Sequence, residues 1–141
     1  MRIVFIDDNT AFRESLTEIL EEEGHEVFAF DNPNVCPLNE TPHCRCQENE
    51  VCTDVILTDL TMPAISGLEF IRTQKNKLCK CQQIALISAS FTEDDFEAAE
   101  KIGCVIFPKP LDFRKFIEWM DSTEIRPDRL LRDWFKQPIT N

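Results

Sequence analysis

The sequence predicts an α/β domain with a parallel β-sheet covered by helices on both faces. Three observations carry that expectation. Five short apolar runs, at residues 3–6, 27–30, 55–57, 84–87 and 105–107, have the length and composition of buried strands. The stretches between most of them place apolar residues at helical spacing, and strands that alternate with helices imply right-handed crossovers and a parallel sheet. The length, 141 residues with 43% hydrophobic, suits one domain with one sizeable core.

The elements follow in order. In "RIVFIDDN" four apolar residues lead to Asp7 and Asp8, and Phe12, Leu16, Ile19 and Leu20 then fall on one helical face. After the second run comes "DNPNVCPLNETPHCRCQENEVC", with Pro33, Pro37, Pro42 and no apolar 3.6-residue period, so residues 32–52 are expected to be an irregular, ordered insert. The third run, in "VILTDLTMP", delivers Asp59 at its end, and Met62-Pro63 stops the strand and shapes the following loop. Leu68 and Ile71 suggest a short helix after Gly67. The fourth run leads to Ser88, after which Thr92 and Asp95 resemble a capping box opening a helix toward Ile102. The fifth run leads to Lys109, and Phe113, Phe116, Ile117 and Met120 mark the last helical face. In the tail, residues 122–141, an apolar patch of Leu130, Leu131, Trp134 and Phe135 predicts a short helix starting near Pro127 that docks on the protein's own surface. The competing reading of that patch is a partner-binding or homodimer element.

Charge excludes several function classes. Asp and Glu outnumber Lys and Arg 26 to 15, for a formal charge of −11, and no basic cluster offsets this. Direct binding to nucleic acid or to an anionic membrane surface is not expected. The N-terminal apolar run of four residues fits neither a signal peptide nor a membrane span, so a cytoplasmic protein is expected. Seven cysteines, an odd number, point in a reducing compartment to metal or redox chemistry rather than to complete disulfide pairing.

In parallel α/β sheets, ligands bind outside the carboxyl ends of the strands. The residues there are Asp7, Asp8, Asp59, Ser88 and Lys109: three carboxylates, a hydroxyl and an ammonium on one rim. Three apposed carboxylates repel one another, and a hard divalent cation relieves them, Mg²⁺ being the natural choice because it binds through one or two carboxylates, waters and phosphate oxygens.

With Asp7-Asp8, "TDLTMPAISG", "LISAS" and "FPKP" in place, residues 1–121 resemble the receiver domains of two-component response regulators. The resemblance implies a flavodoxin-like, doubly wound five-stranded sheet in the order 2-1-3-4-5, in which the helix between strands 2 and 3 is replaced here by the Cys/Pro-rich loop. It implies that Asp59 accepts a phosphoryl group from a phosphohistidine of a histidine kinase or phosphotransfer protein. Asp7, Asp8, Asp59 and the backbone carbonyl of Thr61 would hold Mg²⁺, Lys109 would pair with phosphoryl oxygens, and Ser88 would donate its hydroxyl to the new phosphate. Thr61 and Ser90, two positions beyond Asp59 and Ser88, would tune hydrolysis of the acyl phosphate. The implied role is a single-domain response regulator that signals to a downstream protein target. It is a phosphoacceptor with self-catalysed phosphorylation and dephosphorylation only, not an enzyme in the usual sense. The family often has an aromatic switch residue three positions before the lysine, where this chain has Ile106; Phe107 should point to the opposite face.

The cysteines sustain the other readings: a receiver-fold metal or redox sensing module, beside that of a phosphorelay intermediate. In the implied strand order Cys52, Cys79 and Cys81 precede neighbouring strands, and the insert brings Cys44 and Cys46 toward the same amino-terminal rim. With Cys36 or His43 nearby, these thiolates are candidate ligands for Zn²⁺ or, next, an iron–sulfur cluster. Cys104 is expected within the fifth strand as a core residue.

Overall fold

The computed structural model describes residues 1–39, 42–44, 46, 50–63, 65–81, 83–122 and 129–130. Five strands form the sheet: β1 (Arg2–Ile6), β2 (Glu26–Phe30), β3 (Val55–Asp59), β4 (Gln83–Ser88) and β5 (Val105–Pro108). All pairings are parallel and the order is β2-β1-β3-β4-β5. Four helices connect or follow them: α1 (Thr10–Glu22), α2 (Gly67–Asn76), α3 (Glu93–Ile102) and α4 (Phe113–Asp121).

Alternation along each strand divides the core between the two faces. Ile3, Phe5, Val55, Leu57, Ala85, Ile87 and Phe107 meet Leu16 and Leu20 of α1 and Phe116 and Met120 of α4. Val4, Ile6, Ile56, Ile84 and Leu86 meet Phe70 and Ile71 of α2 and Ala99 of α3, with Cys36 and Leu38 from the insert. Each fully buried aliphatic or aromatic side chain contributes about 1.5–3 kcal/mol. Phe107 and Ile106 lie on opposite faces, as the alternation requires.

The strands β1, β3 and β4 are buried throughout, but β2 and β5 are not, which corrects the expectation of five buried strands. Both are edge strands, flanked on one side only. Cys104 is buried in the core but immediately precedes β5 instead of lying within it.

The helix ends follow their local chemistry. Asn9, Ser66 and Asp112 cap α1, α2 and α4, and Thr92 with Asp95 completes the expected capping box of α3. Gly103 ends α3 with φ +75°, a conformation glycine adopts without strain.

Between β2 and β3 there is no α-helix among the described residues; two 3₁₀ turns, Pro33–Val35 and Pro37–Asn39, take its place. At the far end of the insert Glu50–Val51 pairs in parallel with Arg129–Leu130. The tail is therefore extended at those two residues, where a helix starting near Pro127 had been expected: backbone pairing with the insert takes their hydrogen bonds. Leu131, Trp134 and Phe135 lie outside the described residues.

Candidate functional site

Backbone ladders set the positions of the rim residues. The Asp7 N–H donates to Phe30 O (3.1 Å), continuing β1 alongside β2, and the Lys109 N–H donates to Ser88 O (2.8 Å), continuing β5 alongside β4. Leu60 N–H donates to Ile87 O (2.9 Å), so Asp59 is clamped between two paired neighbours at the end of β3. These ladders bring together residues that are 102 apart in sequence.

Asp7 is fully buried and fully engaged. Its Oδ1 accepts from the Asn9 N–H (2.8 Å) and its Oδ2 from Lys109 Nζ (2.9 Å), while Arg13 donates to its backbone carbonyl (2.7 Å). The Lys109 ammonium lies 3.7 Å from Asp59 Oδ2 and 4.5 Å from the centre of the Phe12 ring, which steers it from below. The Lys109–Pro110 peptide is cis.

Asp59 is 7% exposed, and its Oδ1 has only a long contact from the Thr61 N–H (3.4 Å). Burial, then the neighbouring Asp7 charge, pushes its carboxyl up to about 6, against the opposing pull of Lys109. Asp8 stands exposed at the mouth. Oxygens of Asp7, Asp8 and Asp59 all lie within 4.8 Å of one another, and among the described residues no other set of His, Cys, Asp or Glu donors is gathered so closely. An all-oxygen donor set fits a hard divalent cation such as Mg²⁺.

Three sequence-predicted residues stand differently from the others. The Ser88 hydroxyl turns away to Ser90, donating to its carbonyl (2.5 Å) and accepting from its N–H (3.1 Å). Thr61 and Ser90 line an open groove of about 390 Å³ with Met62, Ser66, Leu68 and Asp95. The groove adjoins Asp59 through Leu60 and Thr61.

The sequence reading overlooked Gly67 as a site residue. A Cβ there would sit 2.2 Å from the Asp59 carbonyl oxygen and 2.9 Å from Leu86 Cδ2, so only glycine lets the first turn of α2 press against the end of β3. The available signal was the glycine in "TDLTMPAISG". Asn9, Phe12 and Arg13, which hold Asp7 and Lys109 in place, were equally silent, because each looked like ordinary helix-start or helix-face chemistry.

The cysteines gather at the opposite rim. Cys52 and Cys81 are buried in the core cluster, with Cys46 and Cys79 packed against it. Among the described residues, no three of their sulfurs lie within 4.8 Å of one another as the aspartate oxygens do. Cys36 is buried under the first 3₁₀ turn, on the side of Lys77, and His43 is exposed.

Residues 3–121 match the family model of the response regulator receiver domain. A probable transcriptional regulatory protein of Picosynechococcus is 28% identical over 120 residues, covering 82% of this chain and 46% of that protein. A response regulator receiver protein of Anaeromyxobacter is 27% identical over 118 residues, covering 83% and 46%. The chain thus spans just under half the length of these curated relatives. A crystal structure of a response regulator receiver protein from Pseudomonas putida superposes with a TM-score of 0.72 at 24% identity, covering 86% of this chain and 96% of that one.

Proposed function

The chain belongs to the response regulator receiver domain family, and from that premise we propose that it accepts a phosphoryl group on Asp59 from a phosphohistidine of a histidine kinase or phosphotransfer protein. The observation that carries the assignment is the clustering of the Asp7, Asp8 and Asp59 oxygens within 4.8 Å, with the Lys109 ammonium bridging Asp7 and Asp59.

An Asp59 oxygen attacks phosphorus as the bond to the histidine nitrogen breaks, and the nitrogen leaves with the electron pair. Little covalent work remains, so the surrounding groups position and neutralise charge. Asp7, Asp8, Asp59 and the Thr61 carbonyl would hold Mg²⁺, whose charge would compensate that of the phosphoryl oxygens. Lys109, steadied over Phe12, exchanges part of its interaction with Asp7 for a phosphoryl oxygen. Burial and then the Asp7 charge disfavour ionisation of Asp59 in the metal-free site, and compensation of the neighbouring aspartates favours the carboxylate that attacks. The Ser88 hydroxyl leaves Ser90 to donate to the new phosphate, which loosens the Ser88–Ser90 turn ahead of α3. That turn and the adjoining groove form the surface whose change a downstream protein reads. Ile106 on the face of α3 leaves the output without the family's usual aromatic rotamer, so the Ser88 turn carries the change. Water reaches the acyl phosphate past Thr61 and Ser90. Among the described residues no helix is long and apolar enough to cross a membrane.

The test is intact-mass analysis after incubation with a small acyl-phosphate donor. The wild type should gain one phosphoryl group only when Mg²⁺ is present, and Asp59→Asn should gain none. Equal labelling of the variant, or labelling undiminished by a chelator, would overturn the assignment.

A further inference from the structure

We propose that the turn from α2 into β4, with Leu78 at its tip and Lys75, Lys77 and Lys80 beside it, is a docking site for an acidic segment of another protein that offers Leu78 an apolar pocket.

The turn closes a helix with a residue poorly suited to the place. The Leu78 N–H donates to Lys75 O (3.0 Å) and the Cys79 N–H to Gln74 O (3.0 Å), the paired bonds that end a helix just after its cap, here Lys77. The position after the cap takes a left-handed conformation, and Leu78 adopts it at φ +62°. Glycine does this without strain, as Gly103 does at the end of α3, whereas the Cβ of leucine crowds a neighbouring carbonyl. Packing gives no reason for the leucine: Leu78 is 79% exposed, more than any other large apolar residue among those described. A strained backbone that carries an unburied apolar side chain points to a contact made outside the fold.

The surrounding charge sets the chemistry of the partner. The chain carries a formal charge of −11, yet no Asp or Glu falls between Glu69 and Glu93, and Arg72, Lys75, Lys77 and Lys80 all lie in that interval. They do not offset the overall charge, but they make one local positive field. Lys77 Nζ donates to Leu38 O (2.9 Å) and Lys77 O accepts from the Cys44 N–H (3.3 Å), so the tip is braced against the insert. Among the described residues no carboxylate lies within ion-pair distance of Arg72, Lys75 or Lys80, and an acidic partner meets them without displacing an internal pair. Nucleic acid offers leucine no apolar pocket, and any extended anionic surface meets the repulsion of the whole acidic chain. A few carboxylates around a pocket feel mainly the local lysines, because salt screens the more distant charges. The turn precedes β4 (Gln83–Ser88), so the length of that strand separates it from Ser88 and the aspartate rim.

The probe is a short fluorescent peptide rich in Asp and Glu with Leu and Phe among them, and its control carries Lys in place of the acids. By fluorescence anisotropy the full chain should bind the acidic peptide, more weakly as salt is added, and should not bind the control. Leu78→Gly should raise the unfolding midpoint by relieving the turn, leave phosphoryl acceptance unchanged, and weaken binding by about tenfold or more through loss of one buried leucine. Lys75→Glu/Lys80→Glu should abolish binding with Leu78 still in place. Absence of peptide binding, equal binding by Leu78→Gly, or a lowered midpoint in that variant would each overturn the proposal. So would finding that Leu78 and these lysines instead drive binding to phosphatidylserine vesicles or duplex DNA, or self-association of the chain in sedimentation.

Discussion

Asp59→Asn should make the metal-free protein more stable at neutral pH while abolishing phosphoryl acceptance. The Asp59 carboxyl is raised from 3.8 to about 6 by burial and by Asp7. At 1.36 kcal/mol for each pH unit, that difference sets a ceiling of about 3 kcal/mol on the cost of ionising Asp59 in the folded state. Solvent reaches the rim beside the exposed Asp8, and screening there reduces the figure to about 1–2 kcal/mol. Because the folded state prefers the protonated acid, its advantage is intact below pH 3.8 and is lost as pH rises through about 6. Asparagine, being neutral, carries no such loss, and it leaves the Lys109–Asp7 pair at 2.9 Å in place. Denaturant unfolding in chelator should therefore show the variant ahead by about 1–2 kcal/mol at pH 8, with the gap shrinking toward pH 4.5. Added Mg²⁺ should stabilise the wild type more than the variant, by mass action on the intact site. A variant less stable than wild type at pH 8 in chelator, or a gap independent of pH, would refute the reasoning.

Gly67→Ala should destabilise by about 2–3 kcal/mol in thermal or denaturant unfolding, because its methyl group must displace the Asp59 carbonyl, and phosphorylation should slow with it. Lys109→Met leaves the buried Asp7 carboxylate without its cation, and a loss of about 3 kcal/mol is expected, with the phosphorylated form losing its response at the Ser88 turn by NMR. Thr92→Ala removes one half of the capping box and should cost about 1 kcal/mol, with no effect on phosphoryl-transfer rate.

Much of this was legible because it is local. The five apolar runs, the helical faces and the Thr92–Asp95 box each announce themselves within a few residues, and parallel topology follows from their alternation. Asp7, Asp8, Asp59, Ser88 and Lys109 were recognisable because each follows a run, and carboxyl ends of parallel strands share a rim. Prolines at 33, 37 and 42 foretold the missing helix. The tail misled: its apolar spacing suited a helix, but at Arg129–Leu130 pairing with Glu50–Val51 prevailed.

The sequence by itself determined the fold class, the strands and the identities of the rim residues, because periodicity and strand ends are properties of contiguous chain. Only the tertiary structure decided which strands are edges, that Lys109 sits 2.9 Å from Asp7 but 3.7 Å from Asp59, that the Ser88 hydroxyl turns to Ser90, and that Gly67 touches the Asp59 backbone. Those facts depend on the register between strands and on helix-to-strand approach at ångström scale, where residues far apart in sequence meet and no short stretch of chain contains both partners.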